Sequence, residues 1–332
     1  MARGNTERCA PIVALGTMTF GGQTNARDAG RMLDMFLDAG HTWVDTAYMY
    51  TDGASERILG RLLKARRRKV FLATKAYPDR LGPGKPRGLT PGSVRGQLEG
   101  SLKRMKLDDV DLFYLHAPDN KTPIEDTLGA CMELRAEGKC HELGLSNYAS
   151  WQVAEVAGVC LRNGWTPPII YQGMYNALAR DVERECLPAC RHFGVDFIAY
   201  NPLAGGFLTG KHIALEKPPK SGRFAGLYYR DRFWKKEYFA AVELLKPFAK
   251  RRRIPLAEAA IRWLIHHSRA DGLLLGASKV EHLADNLAAC RKKALPPALC
   301  KAFERAWEGV RSVCEKYFRD DRSPRPVLRR RS

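Results

Sequence analysis

The chain has 332 residues, a length that suits either two ordinary domains or one large closed α/β barrel. An apolar content of 45% supports a large packed core and excludes a disordered chain, a fibre or a small disulfide-stapled scaffold. The 55 Lys+Arg against 36 Asp+Glu give a net charge of +19, which favours acidic substrates, phosphate-bearing cofactors or nonspecific polyanions without choosing among them.

At the start of the chain, Arg3, Glu7 and Arg8 precede an apolar run too short for a signal-peptide core. No stretch approaches the roughly 18 apolar residues of a membrane span. Nine cysteines are scattered. Their only close pair, Cys186 and Cys190, has neither the CxxC spacing of a zinc site nor a histidine pair to complete one, so no metal and a reducing cytoplasm are expected.

From there, short β-rich runs alternate with helix-period segments, the pattern of repeated βα units around a parallel sheet. Eight strands are predicted: Ile12–Leu15, Trp43–Asp45, Val70–Thr74, Val110–His116, Glu142–Ser146, Ile169–Gln172, Val195–Tyr200 and Leu273–Leu275. Between them, Val153, Val156, Cys160 and Leu161 form one apolar helical stripe, and Thr90-Pro91 reads as a helix N-cap followed by proline. Eight beats close most naturally into an α/β fold of the (β/α)8 barrel type. Two segments exceed the repeat, a long loop over residues 201–253 after strand seven and a C-terminal extension after strand eight. A single barrel over residues 1–319 and a basic, solvated tail over 320–332 are predicted. The basic runs Lys64–Lys69 and Lys250–Arg253 lack interleaved aromatics and read as solvated faces.

Barrel chemistry belongs at the C-terminal ends of strands, where polar residues follow apolar runs. Asp45 ends Trp-Val-Asp, Lys75 follows Leu-Ala-Thr, His116 ends Leu-Phe-Tyr-Leu, and Tyr50 lies five residues beyond Asp45. Singly, these are a cap, a solvated lysine and a structural histidine. Together they supply a proton donor, a cation beside it, an anion for that cation and an imidazole to orient a carbonyl. An ammonium about 4 Å from Tyr50 at an effective dielectric of about 20 would favour the phenolate by roughly 4 kcal/mol, which would bring its pKa close to neutrality.

Asp45-Thr-Ala-x-x-Tyr50, Ala-Thr-Lys75 and Leu-His116-x-Pro118 resemble, in that order, the catalytic tetrad of the aldo-keto reductase superfamily. Gly16-Thr17-Met18, Gly144-Leu-Ser146-Asn147, Tyr171-Gln172, the run Tyr200 to Gly206, and Gly276-Ala-Ser278-Lys279 agree with it. Tyr114-Leu-His-Ala-Pro-Asp and Tyr229-Arg-Asp-Arg-Phe-Trp are similar to segments of the aflatoxin-aldehyde and succinic-semialdehyde reductases. The resemblance implies reduction of small-molecule aldehydes and some ketones with NADPH and without metal. From the residues themselves a cytoplasmic protein with neither nucleic acid nor membrane as partner is expected, and the assembly is left open, a homodimer among the options.

By that resemblance, Gly16, Thr17 and Met18 border the cofactor, Ser146, Asn147 and Gln172 hold the nicotinamide carboxamide, and Tyr200 stacks on its ring. Asn201, Pro202, Leu203, Ala204, Gly205, Gly206 and Lys211 wrap the pyrophosphate, while Arg223, Gly276, Ser278, Lys279, His282 and Asn286 surround the adenosine end with its 2′-phosphate. His282 departs from the Gln or Arg common there, and the stretch from Gly226 to Tyr229 is shorter than in the named reductases. Tyr229 and Arg232 match substrate contacts. Tyr317-Phe318-Arg319 matches a segment that brings an arginine over the pocket for a carboxylate, against the plainer reading of a solvated arginine. Two other functions remain open: a cofactor-holding regulatory protein similar to potassium-channel β-subunits, and a structural barrel that binds no dinucleotide.

Overall fold

The computed structural model describes residues 11–78 and 88–319. Eight parallel strands close in chain order: β1 (Ile12–Gly16), β2 (Trp43–Asp45), β3 (Phe71–Ala76), β4 (Val110–Leu115), β5 (Cys140–Ser146), β6 (Ile170–Met174), β7 (Asp196–Tyr200) and β8 (Gly272–Gly276), with β8 paired back to β1. Every expected strand is present, with ends displaced by no more than two residues. Outside them run α1 (Ala26–Asp38), α2 (Ala54–Leu63), α3 (Pro91–Met105), α4 (Ile124–Ala136), α5 (Ser150–Arg162), α6 (Cys186–His192), α7 (Leu227–Phe233), α8 (Lys236–Arg252), α9 (Leu256–His267), α10 (Val280–Cys290) and α11 (Pro297–Val310).

Alternation along the strands decides which residues reach the mouth. Ala14, Trp43, Ala73, Leu112, Tyr114, Ile170 and Ile198 fill the barrel interior, whereas Leu15, Val44, Leu72, Phe113, Leu145, Tyr171 and Phe197 face the helices. Two residues beyond an interior position, the same face emerges at the C-terminal rim. There it presents Asp45 after Trp43, Lys75 after Ala73, His116 after Tyr114, Gln172 after Ile170 and Tyr200 after Ile198. The interior is tight. A Cβ on Gly144 would lie 2.5 Å from the Tyr114 ring, so glycine at that place in β5 is what admits the tyrosine.

The connection after β7 is more structured than the expected loop. It holds a 3-10 turn at Ala204–Thr209, another at Arg223–Ala225, then α7 and the 17-residue α8, which packs on α11. Gly226 to Tyr229, expected as a shortened loop, opens α7. Rings of Phe207, His212, Phe224, Trp234 and Phe239 pack together within 5.0 to 5.8 Å of a neighbour and tie the connection down. The apolar stripe of α5 is carried by Val153, Val156 and Cys160, but Leu161 is 71% exposed. Ala157 takes the buried place, because the stripe runs along i, i+3, i+4 and Leu161 falls on its flank. Thr90 caps α3, its hydroxyl accepting from the Ser93 N–H at 3.4 Å, with Pro91 at the first helical position. No helix among the described residues is long and apolar enough to cross a membrane. The expected tail over 320–332 lies outside the described residues.

Candidate active site

The charged centre of the mouth is built from β2 and β3. Asp45 and Lys75 are fully buried and paired, the ammonium on Oδ1 and the Gln172 amide donating to Oδ2 at 2.8 Å. Lys75 also donates to the Thr46 carbonyl at 2.7 Å and lies 5.2 Å from the centroid of the Tyr50 ring. Tyr50 reaches this position through a tight turn in which Thr51 and Asp52 adopt φ of 47° and 51°. The Thr51 hydroxyl secures the turn by donating to the Phe20 carbonyl at 2.7 Å and accepting from the Ser55 N–H at 3.2 Å. His116 meets Tyr50 edge to face at 6.0 Å and Tyr77 at 5.3 Å.

Burial dominates the titration of this group. It pushes the Asp45 carboxyl up and the Lys75 ammonium down, against their mutual attraction. The Tyr50 phenol is driven well above its ordinary value by burial and then by Asp45, with Arg319 opposing. This reverses the expectation that Lys75 would bring Tyr50 toward neutrality, because burial outweighs the ammonium and the Asp45 carboxylate beside it works against it as well. Burial, Lys75 and Arg319 hold His116 well below the usual imidazole value. At neutral pH the site therefore offers a protonated phenol and a neutral imidazole whose buried Nδ1 has no hydrogen-bond partner.

Opposite lies a second cluster. Asn147, at φ 62°, donates through its amide to the His116 carbonyl at 2.8 Å and to the Ser146 hydroxyl at 2.9 Å. Its Oδ1 accepts from the Tyr200 hydroxyl at 2.6 Å, and its backbone carbonyl accepts from the Arg319 N–H at 2.9 Å. The Arg319 guanidinium bonds the hydroxyls of Tyr77 and Tyr228, the latter at 2.8 Å. The extension thus returns over the mouth. Arg232 stands beside it, 4.3 Å from the centroid of the Tyr228 ring and 3.5 Å from the Met174 sulfur.

A third region lies along β7 and β8. Asn201, Ala204, Gly205 and Gly206 all have positive φ, of 58°, 49°, 70° and 104°. Pro202 and Leu203 lead into that turn. A Cβ on Gly205 would strike the Tyr229 ring at 2.6 Å, while one on Gly206 would meet nothing within 4 Å, so the turn is packed on one side and open on the other. Tyr229 reaches Asn201 Oδ1 at 3.4 Å and carries Arg223 over its ring at 5.5 Å. Arg223 also lies beside Gly276, its guanidinium 3.4 Å from where a Cβ would stand. Ser278 and Lys279 precede α10, whose N-terminus favours anions. Open backbone, two cations and a helix terminus suit a dinucleotide with an added phosphate.

Other expected residues are placed differently. Thr17 spends its hydroxyl on the Asp45 carbonyl at 3.0 Å and on Ser55 at 2.8 Å, so it braces β2. Gly16 ends β1, and Met18 is 37% exposed at the rim. Lys211 and His282 are exposed, and Asn286 is buried on α10. His282 stands one helical turn before Asn286 on α10. Sequence reasoning missed Tyr77, Tyr228 and Glu56. Glu56 is fully buried on α2, accepting from the Thr74 hydroxyl at 2.8 Å and from Arg104 Nε at 2.6 Å, directly behind Lys75. An acid inside the apolar stripe Ile58-Leu59-Leu63 was the signal available for it.

Comparison with known proteins shows the family. Residues 12–308 match the model of the aldo/keto reductase family. The chain is 48% identical to aflatoxin B1 aldehyde reductase member 2 of Mus musculus, covering 93% of this chain and 88% of that protein. It is 45% identical to aflatoxin B1 aldehyde reductase member 4 of Homo sapiens, over 94% and 98%. At 33% identity it is similar to a probable voltage-gated potassium channel subunit beta of Oryza sativa subsp. japonica, over 82% and 84%. A family match along most of the chain, on a barrel with these side chains at its mouth, identifies the protein as an oxidoreductase of the aldo/keto reductase family.

Proposed function

We propose that the protein reduces aldehydes to alcohols with NADPH, favouring dialdehydes, semialdehydes and aromatic aldehydes. The observation that carries this reading is Tyr50, protonated, set over the buried Lys75–Asp45 pair with neutral His116 on its flank. When bound, the reduced nicotinamide supplies hydride. Ser146, Asn147 and Gln172 would hold its carboxamide, Tyr200 would face its ring, and the open turn at Gly205-Gly206 with Arg223 and Lys279 would take its phosphates.

The protein's own part is to orient the carbonyl and deliver the proton. His116 donates a hydrogen bond to the substrate oxygen, and Tyr50 passes its hydroxyl proton to that oxygen as negative charge develops there. The phenolate left on Tyr50 is stabilised by the Lys75 ammonium below it. Its high pKa keeps the acid loaded through neutral pH, so the charge of Lys75 acts mainly after transfer begins. Arg319 and Arg232, both turned to the mouth, suit an aldehyde carrying a carboxylate.

The test is purified protein with NADPH and 2-carboxybenzaldehyde, succinic semialdehyde or methylglyoxal, read as substrate-dependent loss of nicotinamide absorbance. Absence of turnover with all three sinks the reading. A tightly retained nucleotide with negligible turnover would instead favour a regulatory subunit.

A further inference from the structure

Arg319 is held from three directions. Its backbone N–H is fixed on Asn147, and two residues earlier the Tyr317 hydroxyl accepts from the Ser150 N–H at 3.0 Å, so the segment is fastened to the end of β5 and the start of α5. Nη1 bonds the Tyr77 hydroxyl and Nη2 bonds the Tyr228 hydroxyl. Nε is buried without a hydrogen-bond partner. A buried N–H left unpaired is costly and rare. Nε and Nη2 form the side edge of the guanidinium, the edge whose two parallel N–H groups match a carboxylate. Half of that fork is vacant and the other half is taken by a phenol.

The two phenols differ in how firmly they are seated. The Tyr77 backbone is clasped by Gln97 of α3, its N–H donating to Oε1 at 2.9 Å and its carbonyl accepting from Nε2 at 3.0 Å, and its ring packs edge to face on His116. Tyr228 lies in the first turn of α7 and is 46% exposed. One phenol is built into the wall; the other stands half-exposed at the rim, its ring resting on Arg232 and Tyr229.

We propose that Tyr77 is a positioning residue that fixes Arg319 through Nη1, while Tyr228 is a specificity residue that occupies Nη2 as a stand-in until a substrate carboxylate displaces it and takes Nη2 and Nε together. The proposal rests on the reading of Arg319 as a carboxylate ligand. It assigns opposite signs to two chemically identical changes. Tyr228→Phe removes the competitor, and Tyr77→Phe removes the support.

The experiment titrates succinate into the NADP-loaded protein by calorimetry, for wild type, Tyr228→Phe, Tyr77→Phe and Arg319→Ala. In parallel, the KM for succinic semialdehyde is divided by the KM for an uncharged aldehyde of similar length, so that a general loss of folding or activity cancels. Tyr228→Phe should tighten succinate and lower the ratio by about two- to tenfold, and Tyr77→Phe should weaken and raise them by about as much, the range expected for one hydrogen bond. Arg319→Ala should weaken succinate at least tenfold. If both tyrosine variants move the same way, or neither moves, while Arg319→Ala still weakens binding, the division of roles is wrong and the carboxylate reading stands. If wild type does not bind succinate, or Arg319→Ala binds it as wild type does, the carboxylate reading fails and the proposal with it.

Discussion

The two sides of the barrel mouth are built on opposite plans. On the β2–β4 side, Asp45 and Lys75 are sealed from solvent and paired with each other, and strand alternation alone sets their direction. On the β7–β8 side, position comes from left-handed backbone at Asn201 and Ala204 to Gly206, and Lys279 stands exposed at the start of α10. The first side has its counter-charges already; the second presents cations and open backbone. Proton chemistry needs a fixed geometry and dry surroundings, whereas a cofactor that comes and goes needs a site still accessible to water.

The largest effect should come from the sealed side. Tyr50→Phe keeps the ring and removes the acid, so kcat should fall by roughly two to four orders of magnitude while cofactor affinity, measured by fluorescence titration, holds. Turnover close to wild type would transfer the acid's role elsewhere, Tyr48 or water first. Asp45→Asn should leave a buried ammonium without its anion and cost about 3–5 kcal/mol in unfolding by urea. A loss within about 0.5 kcal/mol would mean that Lys75 gives up its proton on burial and that the pair is not ionic.

The open side should respond through the backbone. Gly205→Ala brings both left-handed strain and collision with Tyr229, and should raise the NADPH dissociation constant about tenfold, whereas Gly206→Ala carries the strain alone and should raise it less. Equal effects would show that Tyr229 yields freely.

Acid separates the sides again. Because His116 is held neutral in the folded chain, the unfolded chain binds the extra proton below about pH 6.5, and stability should fall by up to about 1.4 kcal/mol per pH unit from there downward. Melting temperatures of wild type and His116→Asn between pH 7 and 5 should converge as this penalty disappears in the variant; parallel curves would discard it. The smallest expected effect is ionic. NADPH should bind more tightly than NADH at low salt, with the gap narrowing a few-fold as salt rises, since charges near the surface are screened. A gap independent of salt would place the discrimination in buried contacts.

The same contrast explains what could be read before any coordinates. Strands were legible because apolar runs end in polar rim residues, and Asp45, Tyr50, Lys75 and His116 stand at fixed offsets from those runs. Tyr77, Tyr228 and Arg319 were not legible as one cluster, since contacts 242 and 91 residues apart leave no local pattern. Helix α8 was hidden by its mixed lysine-rich composition and by Pro247 inside it. The direction of the Tyr50 shift was misread because a lone lysine was weighed without the carboxylate that neutralises it and without the burial that outweighs both.

The fastening of Tyr317 and Arg319 to β5 and α5 separates architecture from competence. A shortened chain ending at Lys316 would retain all eight strands and every barrel helix. Yet the first turn of α5, whose N-cap residue is an alanine with no side-chain acceptor, would lose the hydroxyl on Ser150, and Asn147 would lose its backbone partner. Such a product, from proteolytic trimming or an early stop codon, would pass as intact by circular dichroism and by elution volume while its pocket lay unroofed. Quality control that senses only gross unfolding would let it through.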